Sequence, residues 1–539
     1  MKHGIHEHIR VLGRRLLPRI LTQICRDGNI PLSGACDRNY WHYKIRDFSS
    51  VILQQAGYTV WTAIGVVDYP QTALERIGAE CCRFWNQRAQ RFRAFEEYYP
   101  WESGYPPLAF SALAVAKMTA ANLVPREEMF DGFRVAARQL IERFESKATN
   151  QQVAGMAALC WVRKIYPELV SAEDLEKVVV RTLACQHAEG WYMEYGGPDL
   201  GYLSVTMDCL WDAYDATGDS RFVESARKAL MFIWQFIRLS PCGIGMHNAR
   251  NTDYIVPYGI ARFLRANESS GIALGVLTRL LRNVDDPGHY FNAVDDRYWC
   301  HYIGASFYRA IPLLQDLPMT TEGPVSSDDV MIVGTGHFLR FEPQPFRALV
   351  STKKGGVFTL YDEGGRTFSD FGWVVVLNGI VWTNHWWDDA WRVTREEDSL
   401  IVSGGLTRHK YLKNTPFRHM VLRLLSFSLG NRIISLLKQK MIFKAGGKTG
   451  PTFTRKISFL RDRGTVVVND SFRLPKGATN ENIRRAPRAS QRHVASADSF
   501  HYEDFNLAQN GVAIARMERM EMRDGVVNIE TIYSRKNKD

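Results

Sequence analysis

The segment from Glu189 to Tyr202 combines reactive side chains with a backbone that has to turn. Gly196-Gly197-Pro198 cannot lie inside a helix or a central strand, so the segment is predicted to be a loop. Exposed aromatic rings are unfavourable unless something stacks on them, and a sugar ring is one such partner. The segment therefore predicts a carbohydrate contact through Trp191, Tyr195 and Asp199. In the alternative interpretation it is an inter-helix turn whose aromatic rings fold back into the core.

Length and charge limit the classes of protein that remain. A chain of 539 residues exceeds one ordinary core, so two or three domains are expected. The formal net charge of +11 attracts polyanions, and acidic polysaccharide, nucleic acid and an anionic membrane all agree with charge alone. The aromatic content of 12% is typical of carbohydrate clefts and also of large helical cores.

Cysteine usage and the N-terminal stretch bear on location. The nine cysteines are odd in number and contain no C-x-x-C, which predicts reduced, buried thiols rather than a disulfide framework. The N-terminal stretch has no apolar core typical of a secretory signal, and no run of apolar residues is long enough to span a membrane. We expect a cytoplasmic or peripheral protein. The basic, amphipathic first helix either docks on its own domain or lies on a membrane surface.

Periodicity divides the chain into a helical part and a strand-rich part. Apolar residues at three-and-four spacing predict paired helices from about residue 47 to 314, which favours a closed α/α toroid (an incomplete barrel) over a solenoid. Short runs rich in Val, Ile, Thr and aromatic residues then predict a C-terminal antiparallel β-sandwich. The expected domains are an N-terminal helix with a cleft-lining segment at 1–46, a toroid at 47–318 and a sandwich at 319–539. The predicted helices cover 109–121, 129–144, 153–166, 172–184, 202–217, 221–237 and 254–264, and the predicted strands cover 357–361, 373–377, 380–383, 400–403, 453–460, 465–468 and 526–533.

Positive charge is concentrated in the strand-rich part. Residues 401–463 contain fourteen Lys or Arg residues and a single acidic one, Asp462. We expect a positive surface that is centred on this stretch and faces the toroid cleft. A positive electrostatic field can steer a polyanion to a site only if it lies near that site.

Two patches resemble the heparinase II/III-like polysaccharide lyases. Thr149-Asn150-Gln151-Gln152 and the residues up to Leu159 resemble the helix start where that family places a carboxylate-binding asparagine. Glu189-Gly190, Glu194 and Tyr202 resemble its Asp-Gly…Glu…Tyr segment, whose tyrosine is the acid/base. The layout covers nearly the whole chain, but the residue-level match covers about thirty positions. Gln151 stands where the family often has histidine, and the counterpart of its His-Ala-x-x-Asp segment, Thr367–Gly372, has no histidine.

The chemistry implied by that resemblance is β-elimination next to a uronic acid. One group must neutralise the carboxylate, a base must remove the C5 proton, and an acid must protonate the leaving oxygen. Asn150 suits the first task and Tyr202 the other two, if cationic neighbours lower its pKa from about 10. His247 is an alternative base. Its loop adds Asn248, Arg250, Asn251 and Tyr254, although Asn150 and Asn251 would also suit plain helix capping.

Two further clusters are candidates for contact with substrate. Trp101 and Glu102 precede a helix, where they line the same cleft or form a hydrophobic staple. His385 and Trp386 lie between strand patterns and could supply a histidine, bind a metal or simply pack. His385-x-x-Asp388 is a weak metal signal, so no cofactor is expected, with a structural divalent metal left open.

Four functions stay open at this point. The leading one is a lyase acting on an acidic polysaccharide, which is the expected partner; no nucleic acid and no membrane span are expected. A uronate C5-epimerase shares the first half of the chemistry. A glycoside hydrolase would use two carboxylates from the set Glu102, Glu194 and Asp199. A non-catalytic exopolysaccharide-binding or assembly protein would need only aromatic rings and basic charge.

Overall fold

A computed structural model of the chain separates into two compact units. The first comprises the described residues within Met1–Ile237, Tyr254–Thr321 and Asn414–Lys438, and the second those within Arg238–Asp253, Glu322–Lys413 and Gln439–Asp539. The structure describes residues 5–30, 32–36, 55–92, 95, 104–237, 239, 244–266, 269–282, 284, 289–294, 296–315, 330–333, 336–341, 347–361, 367–396, 398–409, 415–429, 450–489 and 514–535.

The first unit is helical. A 3-10 turn, Arg262–Arg265, extends α10, and a π-helical turn, Trp299–Ile303, leads into α14. The helices are α1 Ile5–Leu21, α2 Gln55–Thr62, α3 Gln71–Phe92, α4 Tyr105–Ala120, α5 Arg126–Glu142, α6 Thr149–Ile165, α7 Ala172–Leu183, α8 Leu200–Thr217, α9 Ser220–Ile237, α10 Tyr258–Ala261, α11 Ser270–Leu280, α12 Tyr290–Ala293, α13 Asp296–Tyr298, α14 Gly304–Ala310 and α15 Pro416–Leu429.

Contacts between these helices form a closed circuit. Inner helices α2, α4, α6, α8, α10 and α14 each pack on the next, and α14 packs back on α2. Helices α3, α5, α7, α9 and α11 pack outside that ring. The sequence explains the division, because α4 and α6 are apolar, rich in small residues and buried on nearly all sides, whereas α7 and α9 have one apolar face. The predicted α/α toroid is confirmed.

Each predicted helix corresponds to an observed one, with ends that differ by up to four residues. The helix predicted at 254–264 begins only at Tyr258, because residues 251–256 have no regular secondary structure and Pro257 stands at its N-cap. Helix α1 docks on its own unit: Leu12, Leu16 and Ile20 are buried, and Arg19 pairs with Asp296 at 2.6 Å.

The described residues of the second unit form three antiparallel sheets, with strand orders β1-β2-β3-β4-β5, β10-β7-β6-β13 and β14-β15-β12-β11-β9-β8. One core cluster draws buried side chains from all three, including Phe358, Trp373 and Phe472. This confirms the predicted antiparallel architecture. The strands are β1 Val330–Val333, β2 Phe338–Phe341, β3 Arg347–Ser351, β4 Val357–Tyr361, β5 Thr367–Asp370, β6 Trp373–Leu377, β7 Ile380–Thr383, β8 Arg392–Glu396, β9 Ser399–Gly405, β10 Thr407–Arg408, β11 Thr452–Leu460, β12 Thr465–Arg473, β13 Ile483–Arg485, β14 Ile514–Arg523 and β15 Val526–Arg535.

A buried ion cluster ties three inner helices together. Asp212 of α8 pairs with Lys117 of α4 and with Arg309 of α14, and all three side chains are almost fully buried. Burial alone would raise the pKa of Asp212, but Arg309 and Lys117 hold it below its ordinary value. One turn earlier on α8, burial raises the pKa of Asp208 to about 6, and its carboxylate accepts the backbone N–H of Gly259 in α10 at 2.6 Å. The ring is therefore joined by charge as well as by packing.

Thiols, membrane spans and metal clusters were the other structural expectations. The eight cysteines within the described ranges are free, and the Sγ atoms of Cys36 and Cys81 lie 3.6 Å apart. In the described part of the chain no helix has both the length and the apolar character needed to cross a membrane. Nor do the described residues bring together three or more His, Cys, Asp or Glu side chains in a group suited to a metal ion.

We expect Asp212→Asn to lower the free energy of unfolding by about 3–5 kcal/mol, because it leaves two buried cations without their carboxylate. Urea denaturation followed by circular dichroism measures the loss. Asp215→Asn is the matched control on the same helix. Its carboxylate, 30% exposed, pairs with Arg262, so its loss should be about 1 kcal/mol or less. Equal losses for the two variants would contradict a special role for the cluster.

Candidate active site

Two segments distant in sequence meet at the start of α6. Ala148 forms an antiparallel bridge with Glu194, Thr149 N–H donates to the Met193 carbonyl at 3.1 Å, and Tyr195 N–H donates to the Lys147 carbonyl at 2.7 Å. A further bridge joins Glu194 to Gly197, three residues before α8 begins. Residues 186–199, the 186–199 loop, thus place the N-termini of two neighbouring inner helices side by side.

Glu194 rather than Asn150 caps α6. The N-cap residue is Ala148, which has no side chain able to accept a hydrogen bond. The Glu194 carboxylate instead accepts the backbone N–H of Asn150 at 2.7 Å, a placement that the helix dipole favours. The alternative interpretation of Asn150 as a plain N-cap is therefore wrong.

Three consecutive amides at this helix start differ in their partners. The Gln152 carbonyl oxygen accepts from Tyr105 Oη at 3.0 Å and from the Glu145 N–H at 2.9 Å, and its Nε2 donates to Thr182. By contrast, the buried Oδ1 of Asn150 and Oε1 of Gln151 have no hydrogen-bond partner among the described residues. Asn150 is only 2% exposed, so its unmet acceptor carries a cost of about 1–3 kcal/mol. An unmet carbonyl oxygen of this kind is suited to accept a hydrogen bond from a ligand.

The backbone beside these amides is held in an unusual conformation. Tyr195 has φ of +55°, a left-handed value that bulky residues rarely adopt, and its hydroxyl accepts from Gln151 Nε2 at 3.4 Å. Gly190, with φ of +104°, lets the loop approach the Lys228 carbonyl of α9 more closely than a Cβ would permit. Strain retained by surrounding bonds is a feature of binding sites.

Tyr202 lies in the first turn of α8. Asp199 is the N-cap of that helix, and its side chain accepts the Tyr202 N–H at 3.1 Å. The half-buried ring of Tyr202 meets that of Tyr254 edge to face, with centroids 6.3 Å apart, and Tyr254 is itself 1% exposed. Tyr202 is thus partly accessible to solvent, and its ring packs against the buried ring of Tyr254.

The tryptophan of the loop does not form a stacking surface. Trp191 is 3% exposed, its ring stacks on His187 at 4.7 Å, and its Nε1 donates to Glu189. Tyr192 is equally buried and bonded to Ser225. The core interpretation therefore holds for these two rings, because each finds a partner for its polar atom inside the unit, whereas Tyr195 and Tyr202 stay half-buried.

His247 lies in the second unit, on a segment of residues 244–253 that packs with the sheets. Its Nδ1 and Nε2 lie 2.9 Å from the hydroxyls of Ser351 and Thr359. Burial, helped by the charge of Lys354, lowers the pKa of His247 to about 3. A neutral ring with both nitrogens engaged is the arrangement of a structural histidine, not of the alternative base.

Lys354 holds the same segment in place. Its buried ammonium donates to the carbonyls of Met246 and Asn248 at 2.6 Å and to the Asn251 side chain. Asn248 Nδ2 donates to the Thr252 carbonyl, and Asn251 Nδ2 to that of Ala489. The two amides expected to bind substrate are thus used inside the sheet unit, where Arg250 is also buried.

His385 and Trp386 are buried in the second unit as well. His385 Nδ1 lies 2.8 Å from Thr383 Oγ1, and burial lowers the pKa of this histidine to about 3. Trp386 is 1% exposed, and its ring lies 4.7 Å from that of His409. Both therefore pack rather than present a surface. Trp101 and Glu102 lie outside the described residues, so their assignment stays a prediction.

Some residues that organise the two units were not singled out from the sequence. Asp208 and Asp212 carried a usable signal, because two carboxylates four residues apart on an otherwise apolar helix must find partners. Nothing in the sequence indicated the role of Lys354. Asp370, within the Thr367–Gly372 segment noted above, is enclosed by Arg455 and Arg485, which hold its pKa well below the ordinary value despite its burial.

The helix circuit followed by antiparallel sheets defines an α/α toroid with a β-domain. Solved structures to which the chain is similar include the Streptomyces coelicolor chondroitin AC lyase in complex with chondroitin sulphate, at 9% identity over 97% of this chain and 77% of that one, with a TM-score of 0.49. Heparinase III is 12% identical over 90% of this chain and 75% of that one, with a TM-score of 0.43. A glycosidase in complex with glucose is 12% identical over 58% of this chain and 97% of that one, with a TM-score of 0.39. No family model and no curated protein matches the chain.

We expect Asn150→Ala to leave the free energy of unfolding unchanged or to raise it, by up to the roughly 1–3 kcal/mol that the unmet acceptor costs. No hydrogen bond to the carbonyl oxygen is lost, and alanine is the better helix former. Gln152→Ala, two residues along the same helix, should cost roughly 2 kcal/mol, because it strands buried donors. Thermal and urea denaturation measure both. A large loss for Asn150→Ala would show that the side chain is structural.

Proposed function

We propose that the chain is a polysaccharide lyase that cleaves a uronate-containing polysaccharide by β-elimination at the start of α6. The observation that carries the proposal is the buried Asn150 Oδ1, which has no hydrogen-bond partner within the described residues, beside the equally unmet Oε1 of Gln151. Hydroxyl and carboxyl groups of a sugar are donors that suit these acceptors.

Charge at the site supports a neutral, protonated form of the substrate carboxyl. Glu194 and Asp199 cap the two adjacent helices, so negative charge already stands at both helix starts. A second carboxylate would be repelled, whereas a carboxylic acid can donate its proton to Asn150 Oδ1 and accept from the same amide. Holding the acid neutral makes the C5 proton more acidic, which is the first requirement of elimination.

Tyr202 is assigned the proton transfers. Its half-buried ring stands in the first turn of the neighbouring inner helix, where edge contact with buried Tyr254 restricts its motion. As phenolate it would remove the C5 proton, and as phenol it would return a proton to the leaving glycosidic oxygen. Electrons of the broken C5–H bond form the C4–C5 double bond as the C4–O bond breaks. Tyr195, bonded to Gln151, completes the contact with substrate.

Hydrolysis is less favoured by the same geometry. It requires two carboxylates free for acid and base work. The carboxylates of Glu194 and Asp199 both bind backbone N–H groups at helix starts, and these bonds serve the fold. Epimerisation remains the nearest alternative, because it uses the same neutralisation and proton removal.

The test incubates the chain with a panel of polymers containing glucuronate, iduronate, galacturonate or mannuronate. A lyase produces the ultraviolet absorbance of an unsaturated uronate together with new chain ends. New ends without that absorbance would indicate hydrolysis. Deuterium uptake at C5 from heavy water with neither product would indicate an epimerase, and binding with no reaction an assembly protein.

On the polymer that reacts, Tyr202→Phe should lower kcat by roughly 10²–10⁴-fold while binding is retained, because only the acid/base hydroxyl is removed. Tyr214→Phe is the matched control: it is also half-buried on α8, three turns further along, and should keep full activity. Full turnover by Tyr202→Phe would exclude the tyrosine mechanism.

A further inference from the structure

Helix α15 exposes apolar side chains along almost its whole length. Phe417, Met420 and Leu424 are 68%, 54% and 61% exposed. Their i, i+3, i+7 spacing puts them on one face of the helix. Leu425, Phe427 and Leu429 are a further 41–69% exposed. Folding of the unit therefore leaves this face in contact with water.

The comparison with α1 shows that this exposure is not a general property of basic helices in the chain. Both helices are amphipathic and carry arginines, but α1 buries Leu12, Leu16 and Ile20 against its own unit, at 3% exposure or less. Helix α15 buries none of the side chains named above. Helix α1 is therefore docked on its own unit, whereas α15 leaves its apolar side chains exposed.

Charge indicates which partner covers α15. The helix contains Arg418 and Arg423 and no acidic residue, and the sequence from Asn414 to Lys438, the part of the first unit that includes α15, contains four Lys or Arg residues and no Asp or Glu. A protein partner that carries both acidic and basic groups would not require a sequence in which every charged residue is basic. An anionic lipid surface attracts it as a whole and accepts the apolar side chains as well.

We propose that α15 is a membrane-docking helix that lies in the headgroup region of an anionic bilayer. Phe417, Met420 and Leu424 enter the acyl boundary, and Arg423, which neighbours this stripe on the helical wheel, reaches the lipid phosphates. This role is independent of the catalytic proposal, since none of these residues belongs to the candidate active site. It makes the protein peripheral to a membrane.

Co-sedimentation with vesicles tests the proposal, using phosphatidylcholine alone and an equimolar mixture with phosphatidylglycerol. The full chain should bind the mixed vesicles, and added salt should weaken binding. Replacing Phe417, Met420 and Leu424 by glutamine should reduce the partition coefficient by about a hundredfold. Arg423→Glu should reduce it by about tenfold. The matched control replaces Val11, Val180 and Met231, which are 40–53% exposed on other helices, by glutamine and should bind as the parent does.

Three results would overturn the inference. In the first, the parent chain stays in the supernatant with mixed vesicles. In the second, the triple variant of α15 sediments as the parent does. In the third, sedimentation equilibrium shows that the parent chain is a dimer and the triple variant a monomer, and neither protein binds vesicles. That result would assign the exposed face of α15 to contact with a second copy of the chain. Circular dichroism of each variant separates loss of binding from loss of folding.

Discussion

The buried carboxylate of Asp212 is the constraint on which the toroid depends. A charge in an apolar interior is tolerated only when it is paired, and here the partners Lys117 and Arg309 come from two other inner helices. The pairing selects one arrangement of α4, α8 and α14 where apolar packing alone would accept several registers. It also fixes α8, whose first turn carries Tyr202. In the proposed lyase, the cluster would thus help to position Tyr202 at the start of the same helix.

The candidate site follows from a second carboxylate with a similar role. Glu194 caps α6 from the 186–199 loop by accepting the Asn150 N–H, so the Asn150 side chain is not needed to cap the helix. Its buried amide oxygen has no hydrogen-bond partner among the described residues. Buried polar groups are usually satisfied, so in the proposed lyase this oxygen is the group available to a ligand. Glu194 is therefore a positioning residue in this account, and Asn150 the residue that contacts substrate.

The sequence was sufficient for the elements and the architecture but not for most of the partners. Helix α7 was predictable because Ser171 caps it and one face is apolar, and β4, β6 and β7 because turn residues bound short apolar runs. The role of Glu194 was not predictable, since its partner lies 44 residues away. Trp191 was predicted to contact substrate and His247 to be an alternative base, because their residue types suit these roles, yet each is hydrogen-bonded inside its own unit. Residue type indicates what chemistry is available, but only tertiary contacts decide which groups are already used.

The central claim is that Asn150 recognises the uronate carboxyl in its protonated form. Isothermal titration of a uronate oligosaccharide and its methyl ester into Tyr202→Phe, with and without Asn150→Ala, tests it most directly because no turnover interferes. The ester cannot donate the acid proton. At a pH close to the acid's own pKa, about 3–4 for a carboxyl group, much of the acid is protonated, and Tyr202→Phe should then prefer the acid to the ester by roughly tenfold or more, as expected for one such hydrogen bond. Adding Asn150→Ala should abolish that preference. A preference for the acid that survives Asn150→Ala would contradict the claim.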